Sequence, residues 1–160
     1  MTGKFVGGWQ LNTIATLLTG FPFTPQIGAN TSGDGDTRNP DRPSLNPSFS
    51  GPVIVGRQAQ WFNPNAFVLP AAGTWGNLGR GVYTGPGLAD VDFSIFKNVA
   101  VSEGKRVQLR AEFFNLLNRA NLGTPSATVF SGASISPTAG LITTLATTPR
   151  QIQIGLKLMF

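Results

Sequence analysis

A handful of side chains in this sequence have the types and spacing that chemistry uses. Asp34-Gly-Asp36, with Asp41 a few residues on, sits in a Gly- and Asn-rich stretch. It offers oxygen ligands of the kind a hard cation such as calcium takes. The spacing is not that of an EF-hand and no Glu lies near, so a solvated turn is the preferred reading. Asp90, Asp92 and Glu112 could act as the carboxylate pair of a glycosidase. Arg106, Arg110 and Lys97 can stand opposite them across a hairpin, which favours an ion-pair ladder instead. Gly76-Asn-Leu-Gly-Arg-Gly81 has glycines but neither a strand pattern before it nor a helix pattern after it, so it is a poor phosphate loop. Trp61, Phe62, Phe67 and Trp75 are possible ligand contacts, as an aromatic platform in a loop. They can also be that loop's own small core, which is the preferred reading. With no Cys and no His, the chain lacks thiol nucleophiles, disulfides, the usual zinc ligands and an imidazole base. The expectation is no enzyme, no cofactor and no metal.

The elements that carry these residues read as strands. The alternation is clearest at the C-terminus, where Ile152, Ile154, Leu156, Leu158 and Phe160 share one face against Gln151, Gln153, Gly155, Lys157 and Met159. Val91, Phe93, Ile95, Lys97 and Val99 alternate with Asp90, Asp92, Ser94, Phe96 and Asn98. Val107, Leu109, Ala111 and Phe113 alternate with Arg106, Gln108, Arg110 and Glu112. Trp9, Leu11, Ala15 and Leu17 make a weaker fourth series. Strands are therefore expected at about 8–20, 88–99, 105–118 and 150–160. The stretch 112–118 also has the i, i+3, i+4 spacing of a short amphipathic helix in Phe113, Leu116 and Leu117, with strand preferred. Ser102-Glu-Gly-Lys105 reads as the tight turn of an antiparallel hairpin.

In contrast, 26–87 and 121–149 are long, Gly-, Pro-, Ser- and Thr-rich connections, uncommon in compact soluble domains. Short turns on one side and long loops on the other are the habit of outer-membrane barrels. Composition agrees. The 160 residues carry 12 Lys and Arg and 7 Asp and Glu, a 12% charged share about half the roughly 25% of ordinary domains. That is too few to coat a sandwich whose apolar faces pack together. The net charge of +5 is scattered, without the runs that suggest nucleic acid. No stretch matches a membrane helix, and the start has no apolar signal core. The fold class expected is all-β: an antiparallel meander of about four long strands with long extracellular loops, the C-terminal part of a transmembrane β-barrel. Four strands do not close a barrel, since the smallest have about eight.

The segments Gly85-Pro-Gly-Leu-Ala-Asp-Val-Asp-Phe-Ser-Ile-Phe-Lys-Asn98, Arg106-Val-Gln-Leu-Arg-Ala-Glu-Phe-Phe-Asn-Leu-Leu-Asn-Arg-Ala-Asn121 and Thr148-Pro-Arg-Gln-Ile-Gln-Ile-Gly-Leu-Lys-Leu-Met-Phe160 resemble the extreme C-terminus of TonB-dependent outer-membrane receptors. The likeness is greatest to the Oar-like group with a carboxypeptidase-regulatory-like N-terminal domain. Gly8-Trp-Gln-Leu11, Thr19-Gly-Phe-Pro-Phe-Thr24, Trp61-Phe-Asn-Pro64 and Gly76-Asn-Leu-Gly-Arg80 extend the resemblance over nearly the whole chain. It implies a barrel of about 22 strands with an internal plug, importing a bulky nutrient of siderophore, glycan or peptide class with energy from the TonB complex. On this reading the chain is a C-terminal fragment, not competent for transport alone. Its partners are outer-membrane lipid, the rest of the barrel and plug, the barrel-assembly machinery and, through the missing N-terminal part, the TonB complex. No nucleic acid is expected. Ile154, Leu156, Leu158 and the terminal Phe160 are similar to the signal that the assembly machinery reads. Two other functions stay open: a structural outer-membrane protein in which several chains share one barrel, and a soluble β-sandwich binding module.

Overall fold

The computed structural model describes residues 6–36, 38 and 40–160. Four long strands form one sheet: β1 (Trp9–Leu18), β2 (Leu88–Ser102), β3 (Lys105–Phe114) and β4 (Gln151–Met159), in that spatial order and with every neighbouring pair antiparallel. The fold is the all-β meander that the alternation implies, and the four strands leave the sheet unclosed, with β1 and β4 at its margins.

Register explains why this sequence makes this sheet. Directly opposed residues share a face, so the pairings sort the side chains into rows. One face carries Thr13–Phe93–Phe113–Ile152, then Leu11–Ile95–Ala111–Ile154, then Trp9–Lys97–Leu109–Leu156, then Val99–Val107–Leu158. The other carries Asn12–Ser94–Glu112–Gln153, Gln10–Phe96–Arg110–Gly155 and Asn98–Gln108–Lys157. A slip of one residue in any pairing would mix the two sets. Phe93 and Phe113 reinforce the register, with ring centroids 6.2 Å apart.

β2 and β3 are joined by Glu103 and Gly104, the latter at φ 74°, a conformation that glycine adopts without strain. The hairpin is the expected one, although β2 runs on to Ser102. At the opposite end β3 stops at Phe114, short of the expected 118, and the chain forms neither more strand nor a helix. Asn115 and Asn118 take φ of 49° and 50°, which breaks both patterns. Three asparagines spaced by three then replace the missing ladder. Asn115 accepts the Arg119 N–H and donates to the Thr148 carbonyl. Asn118 accepts the Arg150 N–H. Asn121, almost wholly buried, accepts from Ala89 N–H at 3.0 Å and donates to Ala89 O and Thr147 Oγ1. Together these side chains tie the end of β3 to the starts of β2 and β4.

The chain divides into two compact units, the sheet and a second one made of Thr19–Gly87 and Leu122–Ala146. The two long connections are thus not separate loops. Gln26 donates to Ala127 O and accepts from Val129 N–H, Trp61 N–H reaches Gly140 O, and Ile142 N–H reaches Gln58 O. Short ladders such as Ser44–Leu45 with Phe67–Val68, and Ile54–Arg57 with Gln60–Phe62, brace the unit. Its core holds Ile27, Phe62, Phe67, Leu78, Val129 and Phe130.

Candidate functional site

Two surfaces have functional geometry, one in each unit. In the sheet it is the apolar face. Leu11, Leu109, Ile152, Leu156 and Leu158 are all exposed, Ile154 is 81% exposed, and Phe160 is 90% exposed. Within the sheet unit, no described residue covers these side chains. A soluble sandwich would bury such a face under a second sheet, and that arrangement is not present. Each large apolar side chain is worth roughly 1.5–3 kcal/mol when removed from water, so the face needs an apolar medium.

Lys97 is the exception on this face and corrects one expectation. It does not oppose the acidic residues but stands between Trp9 and Leu109. It is only 8% exposed: Nζ donates to Gly7 O at 2.6 Å and lies 4.7 Å from the Trp9 ring centroid. A charge on an apolar face is tolerable when it is wrapped in this way. Trp9→Ala is therefore expected to destabilise the sheet by about 1–2 kcal/mol, and Lys97→Met to be close to neutral. Heat-dependent unfolding of the two variants in membranes checks this; a larger loss in Lys97→Met would reverse the assignment.

The polar face is a hydrogen-bonded ladder with one ion pair among the described residues, Arg110 to Glu112 at 2.9 Å, rather than the row of ion pairs expected. Arg110 also stacks on Phe96, with its guanidinium 4.8 Å from the ring centroid. Asn12 pairs with Ser94, and Gln108 with Asn98. Asp92 caps the Asn115 N–H, and Asp90 accepts from Val91 N–H. The carboxylates are thus occupied in holding the backbone at the loop end.

In the second unit, the four aromatic residues proposed as a ligand platform separate. Phe62 is 0% exposed and packs on Phe23 and, edge to face, on Phe67, itself buried. Neither can touch a ligand, because the loop's own core claims both. Trp61 is half-buried and its indole N–H donates to Thr84 O. Trp75 alone of the four stands open, 70% exposed, at the rim of a cleft of about 200 Å³ that Asp34, Asp36, Asp41, Arg42 and Arg80 also line. The arginines were not singled out in the sequence, since scattered cations give no motif.

The acidic turn is built as a turn. Asp34 accepts from Asn30 Nδ2 and Asp36 N–H, and Asp36 accepts from Arg38 N–H. Asp41 accepts from Ser32 N–H, Ser32 Oγ and Thr31 Oγ1. The Ser32 N–H bond chiefly holds the Asp41 carboxyl below its ordinary range, against the opposing effect of burial. No group of three or more metal-ligating side chains occurs among the described residues. A carboxyl with a lowered pKa stabilises the folded turn fully above its unfolded value near 3.8 and loses that contribution as pH falls through the lower folded value. Proteolysis within 30–41 should accordingly be slow at neutral pH and rise only in acid below about that value. Asp41→Asn should be cut readily at pH 7; equal resistance in wild type and variant would show that the bonds to Asp41 do not hold the turn.

The sheet's exposed apolar face, its polar reverse and its antiparallel order coincide with a family match. The model of an outer membrane beta barrel domain matches residues 1–153. The chain belongs to that family. Neither a curated protein nor a solved structure matches it. An outer-membrane barrel domain accounts for both faces at once: apolar side chains meet lipid and polar ones meet the interior. The outer membrane is the compartment that follows. No helix among the described residues is long and apolar enough to cross a membrane, which is no objection to a barrel that crosses with strands.

Proposed function

We propose that this barrel domain is the C-terminal wall of a TonB-dependent receptor that imports a bulky nutrient of siderophore, glycan or peptide class, and that it is not an enzyme. The observation that carries this reading is the loop unit. Its two segments leave the sheet after Leu18 and beyond Phe114, return at Leu88 and Gln151, and all four points lie at one end of the strands, opposite the Glu103-Gly104 turn. Long connections that leave from one end of the strands, with a two-residue turn at the other end, suit a receptor that captures a large solute outside and passes it inward. The turn and Phe160 then face the periplasm, and the strand ends that carry the long connections face the medium. Four strands form part of a wall, so further strands, plug and TonB complex complete the transporter, and the row Ile154, Leu156 and Leu158 on the marginal strand β4, with Phe160 directly after it, suits recognition by the assembly machinery.

Uptake measurements test this reading. Cells lacking the protein should lose accumulation of one labelled class among ferric siderophores, oligosaccharides and oligopeptides, and in wild-type cells that accumulation should stop when an uncoupler collapses the proton gradient. Unchanged uptake of all three classes, or uptake indifferent to the uncoupler, would overturn it.

A further inference from the structure

The loop unit contains two adjoining clefts with a common wall. The first, described above, is rimmed by Trp75 and the acidic turn; the second, of about 140 Å³, is lined by Thr24, Gln26, Pro40, Arg42 and Arg80. Pro40, Arg42 and Arg80 belong to both. The backbone builds this wall. The 42–45 segment runs against 76–78, with Leu78 N–H donating to Pro43 O and Leu45 N–H to Asn77 Oδ1. At Gly76 the approach is so close that a Cβ would collide with the Arg42 carbonyl oxygen, so only glycine brings Trp75 and Arg42 to one rim. Gly81 N–H donates to Thr24 Oγ1 at 2.8 Å, which draws Arg80 to the Thr24 side.

The second cleft has a one-sided chemistry. Two arginines, Arg42 and Arg80, line it with Gln26 and with Thr24, whose hydroxyl already accepts a hydrogen bond, and no Asp or Glu is among its described lining residues. Among the described residues, neither Arg42 nor Arg80 has a carboxylate within ion-pairing distance. The acidic groups of the neighbouring cleft are instead committed to their own turn, as Asp34 and Asp41 are by the bonds given above. Arg42 is half-buried and Arg80 is exposed, so the cleft presents cationic forks at a partly desolvated wall. Guanidinium forks in that state match the planar oxygens of carboxylate and phosphate groups.

We propose that Arg42 and Arg80, with Thr24 and Gln26, form an oxyanion-binding site, and that it takes a carboxylate or phosphate group attached to a ring that lies against Trp75. The anion is held in the donor-lined cleft, and the shared wall leaves the ring on the side where the exposed indole offers a face to stack on. The site follows from the loop unit itself and does not depend on the import reading. Two sources present the oxyanion, a soluble ring-bearing anion and the phosphate of a membrane lipid headgroup.

The test uses the protein purified from outer membranes in a zwitterionic detergent. The chain has no cysteine, so a fluorophore on Ala72→Cys, at an exposed position three residues before Trp75, reports occupancy. Inorganic phosphate, phenyl phosphate, benzoate and vesicles containing phosphatidylglycerol, with phosphatidylcholine vesicles as the blank, are titrated separately. Saturable binding is expected, weakening about tenfold or more in Arg42→Gln and in Arg80→Gln, while Arg57→Gln, a loop arginine outside the clefts, leaves it unchanged. Phenyl phosphate should bind more tightly than inorganic phosphate, and Trp75→Ala should remove that difference. Binding of the soluble anions identifies a solute as the source; binding only of the phosphatidylglycerol vesicles identifies a headgroup and, since that headgroup has no ring, overturns the stacking on Trp75. Failure of all four probes to saturate, or an equal loss in Arg57→Gln, overturns the site, and phenyl phosphate binding no better than phosphate overturns the stacking of the ring.

Discussion

Phe62→Ala is expected to destabilise the loop unit by about 3–5 kcal/mol while leaving the sheet intact. The side chain is wholly buried among Phe23, Phe67 and the aliphatic core of both loop segments. Its removal costs the transfer of a large ring to water and leaves a cavity that cannot easily collapse. The backbone around it is pinned, by Trp61 N–H to Gly140 O and Asn63 N–H to Val53 O, and Gly140 presses on the Phe62 backbone so closely that a Cβ there would be in conflict. Native-state proteolysis of the protein in its membrane measures the loss as faster cutting throughout 19–87 and 122–146. Trp75→Ala is the contrast: its ring is mostly in water, and the expected change is within about 0.5 kcal/mol. Equal protease resistance of Phe62→Ala and wild type would mean that the two segments do not share a core.

That shared core also marks where the sequence stopped being legible. The sheet could be read because each strand has a period of two, which a one-dimensional pattern records directly: the rows through Ile95, Phe93 and Leu109 follow from alternation plus one hairpin. The loop unit has no period. Its hydrophobic residues, Ile27, Phe62, Leu78 and Val129, lie far apart in the chain and are joined by contacts that no local spacing encodes. Alternation cannot say where a strand ends either. It runs from Arg106 through Phe113, and only the left-handed turn at Asn115 stops it. Asn115, Asn118 and Asn121 were visible as residues, but their amides bond to two other segments, the start of β2 and the approach to β4, a role that depends on tertiary placement. Lys97 was legible as an interruption of an apolar face, whereas its shelter by Trp9 and Gly7 required the pairing of β1 with β2. The candidate ligand residues split for the same reason: aromatic type is shared by Phe62 and Trp75, and burial, which separates them, is a property of the fold.

Ile154→Arg should cost about 2–4 kcal/mol, and Gln153→Arg, one residue away, less than about 1. The two positions differ only in the face they occupy. Ile154 continues the row Leu11–Ile95–Ala111, with the rows of Leu156 and Leu158 between it and the turn end and the row of Ile152 on the other side. Rows on one face are spaced by two residues, about 6.6 Å along a strand, which puts Ile154 well inside the apolar band, where a guanidinium has neither water nor a partner. Lys97 does not relieve it, since that charge is in the next row and already bonded to Gly7 O. Gln153 points the other way and stands directly opposite Glu112, so a guanidinium there meets a carboxylate and the hydrated interior. The folded fraction recovered from outer membranes, separated from the unfolded form by its mobility on unheated gels, reads the difference. Similar recovery of the two variants would show that the exposed apolar face of β4 does not meet lipid, and that some other protein surface covers it.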